Sequence, residues 1–379
     1  MFFSIAPAAD PRFPCHDQLG PWVFSHDNGW DQHQGQWSKG IRNPDQTGNW
    51  AGLQWIDSRL HLDHGAWRSF PLWWDQGSRT LTNLLGTGQP IWANTRVYLD
   101  ADSLYTAPFD PVGQFSRESL SLDQAADIIS DRLVQQVQRL PEQCGDRPCR
   151  LFLTGGIDTL MIFGAFKYAQ VPVDVIDYEH LEYDWFLDQN LQAIRERHWA
   201  YAQIHHWTQP TVLVSGGCGD ESMMRGPTTL ALWAAWHGLD VNSMLLSRTG
   251  YHVHYFSQPK NRQIFQDHWQ RREQIKQTHT TAQQLHQQIL DINLNDHQHW
   301  HLGHTLTWTP LLDLELTKTV LRLDPDSMIE QMIDAALCKR VLAQLFEPGL
   351  SLLSPNKNYR SRSLLHGIKA TRPPGNVLL

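Results

Sequence analysis

A chain of 379 residues, 41% hydrophobic and 18% charged, is long enough for two domains, each with its own core. Its net charge of −8 argues against nucleic acid or an anionic membrane as a partner. No apolar run approaches the roughly 18 residues of a membrane-spanning helix, and the opening MFFSIAP lacks the basic start and apolar length of a secretory leader.

The five cysteines, at 15, 144, 149, 218 and 338, are odd in number and form no CxxC pair. Reduced thiols in a cytoplasmic setting are therefore expected, with a disulfide or shared metal at Cys144 and Cys149 as the alternative.

Residues 1 to about 115 predict a β-rich domain, sheet packed on sheet. Short aromatic and branched runs at 2–5, 22–24, 53–56, 59–62 and 95–99 are separated by Gly, Pro, Asp and Asn clusters. Residues 63–74 read as a turn followed by a strand. From residue 119 the pattern becomes helical: Ser121 caps a helix over 122–140, with Ala125, Ile128, Ile129, Leu133 and Val137 on one face and Pro141 as its stop. The alternation that follows predicts a parallel α/β sheet, with strands at 150–154, 173–177 and 211–215 and helices at 158–168 and 183–204. The last third predicts helices at 263–290, 311–321 and 327–346, and the domain boundary falls near 115–121.

Two glycine turns end strands of that sheet. The first, TGGIDT at 154–159, leads from an apolar strand into a helix. Backbone N–H groups in such a turn, the positive helix end and the hydroxyls of Thr154 and Thr159 suit a phosphate or pyrophosphate. It is neither a Walker loop nor a GxGxxG fingerprint. The second, SGGCGDE at 215–221, also carries an acid after its glycines. Ligands of open α/β sheets bind at the carboxyl ends of the strands, so Asp158 and Asp220 can face one nucleotide and share Mg²⁺. A helix N-cap is the other reading of Asp158.

In these residues the chain resembles the asparagine synthetase family. TGGIDT is similar to its SGGxDS pyrophosphate loop, and residues 211–221 to its SGxGxDE signature. TPLLD at 309–313 resembles its RxPFLD segment, KRVL at 339–342 its KxxLR helix, and PNKNY at 355–359 the later lysine loop. The matches run in the family's order over residues 119–365, and the first two together are the specific ones. Residues 63–74 also resemble a hairpin of the family's N-terminal glutaminase domain. That enzyme type exposes an N-terminal cysteine nucleophile; here Met1 precedes Phe2 and the nearest cysteine is Cys15. Glutamine hydrolysis by that route is not expected, and the pattern is similar to β-lactam synthetase, carbapenam synthetase and the lasso-peptide cyclases.

The resemblance implies a degenerate, glutaminase-like (Ntn-like) sandwich over 1–118. After it, over 119–379, comes a PP-loop synthetase domain of adenine nucleotide α-hydrolase type with a helical C-terminal part. It implies a cytoplasmic ligase that adenylates a carboxylate with ATP, releases pyrophosphate and transfers the acyl group to an amine or ammonia. ATP would contact Thr154, Gly155, Gly156, Asp158, Thr159, Ser215, Gly216 and Gly217, with Mg²⁺ on Asp158 and Asp220. Lys357 and Lys339 would supply cations, and Glu221 would take a proton from the amine. The chain departs from the family at Thr309 and Ala343, where arginines are usual. Its partners would be small-molecule or peptide carboxylates and an amine; a homo-oligomer is compatible with all of this.

Two other classes remain: a catalytically idle member acting as a binding or structural component, and a nucleotide-modifying or thiolating enzyme sharing the pyrophosphate loop. His297, His299, His301 and His304 form a histidine-rich stretch, but in a chain with 20 histidines packing explains it better than zinc.

Overall fold

The computed structural model describes residues 3–27, 29–41, 50–65, 70, 72–83, 88–91, 95–109, 118–153, 156–176, 209–217, 219–225 and 305–346. Antiparallel strands fill its first part: β1 (Phe3–Ala6), β2 (Cys15–Leu19), β3 (Trp22–His26), β4 (Asp31–His33), β5 (Gln36–Gly40), β6 (Trp50–Ile56), β7 (Arg59–His64), β8 (Leu72–Asp75), β9 (Thr80–Thr82), β10 (Gln89–Ile91), β11 (Thr95–Leu99) and β12 (Leu104–Pro108). They form two sheets, ordered β10-β8-β9-β1-β3-β2 and β12-β11-β7-β6-β5-β4.

Alternation decides which side chains meet between the sheets. Phe3, Ile5, Trp22 and Phe24 of the first sheet share one buried cluster with Leu53, Leu60, Leu62, Val97 and Leu99 of the second. Strands β2, β4 and β5 were not expected, because CHDQL, DQH and QWSKG carry few branched residues; cross-strand pairing holds them, as where Asp17 meets Phe24 and Trp37 meets Leu53. Within this part Lys39 is buried and paired with Asp27 at 3.0 Å. Burial holds its amine below the usual lysine range, with Asp27 acting in the opposite sense.

The second part centres on a parallel sheet, β13 (Cys149–Phe152), β14 (Asp174–Ile176), β15 (Thr211–Val214) and β16 (Thr305–Trp308), ordered β14-β13-β15-β16. The described helices are α1 (Leu122–Cys144), α2 (Ile157–Ala169), the one-turn α3 (Gly219–Ser222), α4 (Leu314–Val320), α5 (Pro325–Asp334) and α6 (Ala336–Leu345). Their apolar faces close a core in which Ile129, Leu133 and Val137 meet Phe163, Phe166, Val214, Trp308 and Val341. Ile41, just after β5, joins this second core. Mixed α/β is thus the observed class. No described helix is long and apolar enough to cross a membrane.

Several expectations need correction. Ser121 does cap α1, in a reciprocal capping box with Gln124. The helix nevertheless runs through Pro141 to Cys144 and ends at Gly145 (φ 61°), whose N–H donates to the Pro141 carbonyl at 2.9 Å. A proline this close to a helix end gives up one hydrogen bond rather than the helix. Ile128 is 40% exposed; Leu122, Ala126 and Leu140 belong to the buried face instead. The helix expected over 327–346 is two, broken where Ala335 turns left-handed (φ 52°). Ala335 has no side chain with which to cap α6, and Gln331 does so: its Oε1 accepts from Leu337 N at 2.8 Å and Cys338 N at 3.4 Å. Strand β16 was missed altogether. Cys144, Cys149 and Cys338 are free thiols, so Cys144 and Cys149 form no disulfide. The stretches expected as helices at 183–204 and 263–290, and the histidine-rich segment, lie outside the described residues.

Candidate functional site

Strands β13 and β15 are neighbours in register, with Leu151 opposite Val214, so the loops that leave their carboxyl ends are side by side. Each then runs into a helix, α2 or α3. The two segments interlock. A Cβ placed on Gly216 would come within 2.8 Å of Thr159 Cγ2 and 3.2 Å of Asp158 Cβ, and one on Gly219 within 2.5 Å of Asp158 Cγ. Only glycine permits this approach, which accounts for two of the glycines in the second turn.

Asp158 is not the N-cap of α2. Gly156 holds that position without a side-chain cap, and Asp158 lies in the first turn, where its negative charge suits the helix end. Its carboxylate turns instead toward the second loop. There Arg225, 4% exposed, places a single guanidinium nitrogen, Nη2, against both Asp158 Oδ2 and Asp220 Oδ1. Met224 makes this possible. It takes a left-handed conformation (φ 52°) that ends α3 and turns the chain back, and Arg225 N donates to the Asp220 carbonyl at 2.8 Å. A non-glycine residue in that conformation costs about 1–2 kcal/mol, which the buried charge contacts offset.

Charge at the site follows from this enclosure. Burial acts to lower the pKa of Arg225, but Asp158 and Asp220 outweigh it and hold the guanidinium well above its ordinary value. Burial, seconded by the negative charge of Asp158 and opposed by Arg225, pushes the half-buried Glu221 carboxyl up to about 7. Asp158 Oδ1 and Ser222 Oγ are buried and have no hydrogen-bond partner among the described residues.

Thr159 donates its hydroxyl to the Gly156 carbonyl at 3.0 Å and turns its methyl to Gly216. Ser215 anchors the second turn: its N–H donates to the Trp308 carbonyl at 2.9 Å, and its Oγ accepts from Gly217 N at 3.0 Å. Gln331 ties that turn to the α5–α6 junction by donating to the Met223 carbonyl at 2.7 Å. Cys338 sits beside Arg225, its thiol pushed up to about 12 mainly by burial.

The structure brings Gly156, Asp158, Thr159, Ser215, Gly216, Gly217, Asp220 and Glu221 to one end of the sheet. Lys339 pairs with Asp334 at 2.7 Å, and Arg340 reaches Asp123 at 3.3 Å. Asp313 caps α4, accepting from Glu315 N at 2.9 Å and Leu316 N at 3.1 Å, and also takes the Arg132 guanidinium at 2.6 Å. Thr154, Gly155, Cys218 and Lys357 lie outside the described residues.

Sequence reasoning missed Arg225. The signal was a lone charge in an otherwise apolar Met-Met-Arg run, five residues after Asp220.

Among the described residues no three His, Cys, Asp or Glu side chains gather as a metal cluster. A nucleotide-bound Mg²⁺ needs fewer, since one or two protein carboxylates and the phosphates suffice. Two carboxylate oxygens converging on one cationic nitrogen, with the buried Asp158 Oδ1 short of a partner, fit such an ion. No known protein-family model matches this chain, and the comparison with curated proteins gives no match.

Proposed function

We propose that the chain is an ATP-dependent carbon–nitrogen ligase of the asparagine synthetase type, without glutaminase activity. The observation that carries the reading is the convergence of Asp158 and Asp220, from two glycine turns on adjacent parallel strands, on one cation position. The uncapped first turn of α2 beside it supplies N–H donors for phosphate oxygens. With this go the finer fold readings, an Ntn-like sandwich and a PP-loop domain.

In the proposed reaction a substrate carboxylate oxygen bonds to the α-phosphorus of ATP while the bond to the bridging β-oxygen breaks, and pyrophosphate leaves. An amine or ammonia nitrogen then bonds to the acyl carbon, the carbon–oxygen bond to AMP breaks, and the nitrogen gives up a proton. Gly156 and its neighbours bind the leaving phosphates, and Gly216 and Gly217 let backbone approach the nucleotide. Glu221, whose carboxyl burial raises to about 7, is the group proposed to take the proton. Mg²⁺ held by Asp158 and Asp220 would offset phosphate charge. Lys357 and Lys339 are proposed as further cations, and Lys339 must leave Asp334 to serve.

One observation favours a second reading, an idle member acting as a binding component: Arg225 already occupies the point on which both acids converge. Carboxylate-dependent exchange of pyrophosphate into ATP separates the two. The ligase reading expects exchange in the wild type and its loss in Asp158→Ala; a folded wild type that neither exchanges nor binds ATP supports the idle reading.

A further inference from the structure

Both acids proposed to carry Mg²⁺ are already engaged by one atom. Arg225 Nη2 contacts Asp158 Oδ2 and Asp220 Oδ1, on a side chain only 3% exposed. This is not an accident of a long surface side chain settling on a nearby acid. The backbone is bent at Met224 to deliver it, Gln331 fixes the Met223 carbonyl one residue before that bend, and Gly219 leaves the space that the Asp158 carboxylate fills. With no cation between them the two converging carboxylates would repel each other, the more so because Asp158 is largely withdrawn from water. The fold supplies that cation from its own chain.

We infer that Arg225 is an internal counter-ion that holds the divalent-cation position of the site in the metal-free protein, so that metal enters with nucleotide and not alone. The inference rests on the nucleotide-site reading above. Metal arriving by itself must break both carboxylate contacts of a guanidinium that stays buried, which is costly. A nucleotide changes the balance, because its phosphate oxygens offer the displaced guanidinium bidentate acceptors as good as the carboxylates. Uptake of metal is thereby made conditional on nucleotide.

The test is Mn²⁺ binding without nucleotide, followed by the paramagnetic resonance of the free ion, in wild type, Arg225→Met and Arg225→Lys. Arg225→Met is expected to bind Mn²⁺ at least tenfold more tightly than wild type, and Arg225→Lys to fall between them. Adding Asp158→Asn to Arg225→Met should abolish the gain. Hydrogen exchange in wild-type protein needs no substitution: amides 222–225 should change protection when Mg·ATP binds, and stay unchanged with Mg²⁺ alone. If wild type binds Mg·ATP but Arg225→Met gains no Mn²⁺ affinity, or 222–225 do not respond to Mg·ATP, the counter-ion inference is overturned while the nucleotide reading stands. If wild type does not bind Mg·ATP and folded Arg225→Met does not bind Mn²⁺, both fail. Should Arg225→Met not fold, the exchange result decides.

Discussion

Gly219→Ala probes the contact between the two loops most sharply. The added methyl would lie 2.5 Å from Asp158 Cγ and 2.8 Å from Asp158 Cβ, well inside the contact distance of carbon atoms, so loop or carboxylate must move by several tenths of an ångström. Overpacking of this kind costs about 1–3 kcal/mol. If Asp158 is pushed off Arg225, a charge-assisted hydrogen bond worth about 1.5–3 kcal/mol is weakened as well. Allowing for partial relaxation, local stability should fall by about 2 kcal/mol, which is roughly a 30-fold increase in local opening. Hydrogen exchange read on segments 156–160 and 219–225 measures this directly, and both should accelerate together because they share the contact. Gly77→Ala is the control, since its methyl would meet only Asp75 Oδ1 at an ordinary 3.4 Å. Unchanged exchange in both loops of Gly219→Ala, with Mg·ATP binding also unchanged, would refute the interlock.

Other expectations concern the frame around the site. Asp313→Ala removes the α4 cap and the partner of Arg132, and should cost about 2–4 kcal/mol; Asp313→Asn keeps the cap and should cost about half as much, by chemical denaturation. Cys144 gives a pH signature. Burial raises its thiol from 9.0 to about 12, so the unfolded chain loses this proton first, and the group's stabilising effect is intact below pH 9 and declines between 9 and 12. The stability gap between wild type and Cys144→Val should therefore shift against wild type by about 1.4 kcal/mol from pH 8 to pH 10. A gap independent of pH would contradict the burial assigned to that thiol.

Much of this arrangement was legible in the sequence, for reasons that differ by element. TGGIDT and SGGCGDE could be read because glycine turns after apolar strands constrain backbone locally, and Asp158 and Asp220 followed from their place after the glycines. Ser121 was readable because a capping box is complete within four residues. What failed depended on distant partners. Strands β2 and β5 owe their existence to pairing rather than propensity, and Pro141 is tolerated only because the helix ends one turn later. No residue type at Ala335 announces the break there; the missing cap comes from Gln331, four residues earlier in α5, a residue type with no special preference for capping. Arg225 was invisible as a site residue because its role comes from a left-handed Met224 and an acid 67 positions earlier in the chain.

The central claim is that the turns after β13 and β15 form one nucleotide site through Asp158 and Asp220. Calorimetric titration of ATP in the presence and absence of Mg²⁺, on wild type, Asp158→Asn and Asp220→Asn, tests it most directly. Mg²⁺-dependent binding to wild type, weakened at least tenfold by either substitution in protein that remains folded, is the predicted result. Absence of ATP binding to folded wild type, or binding that ignores both substitutions, would contradict it.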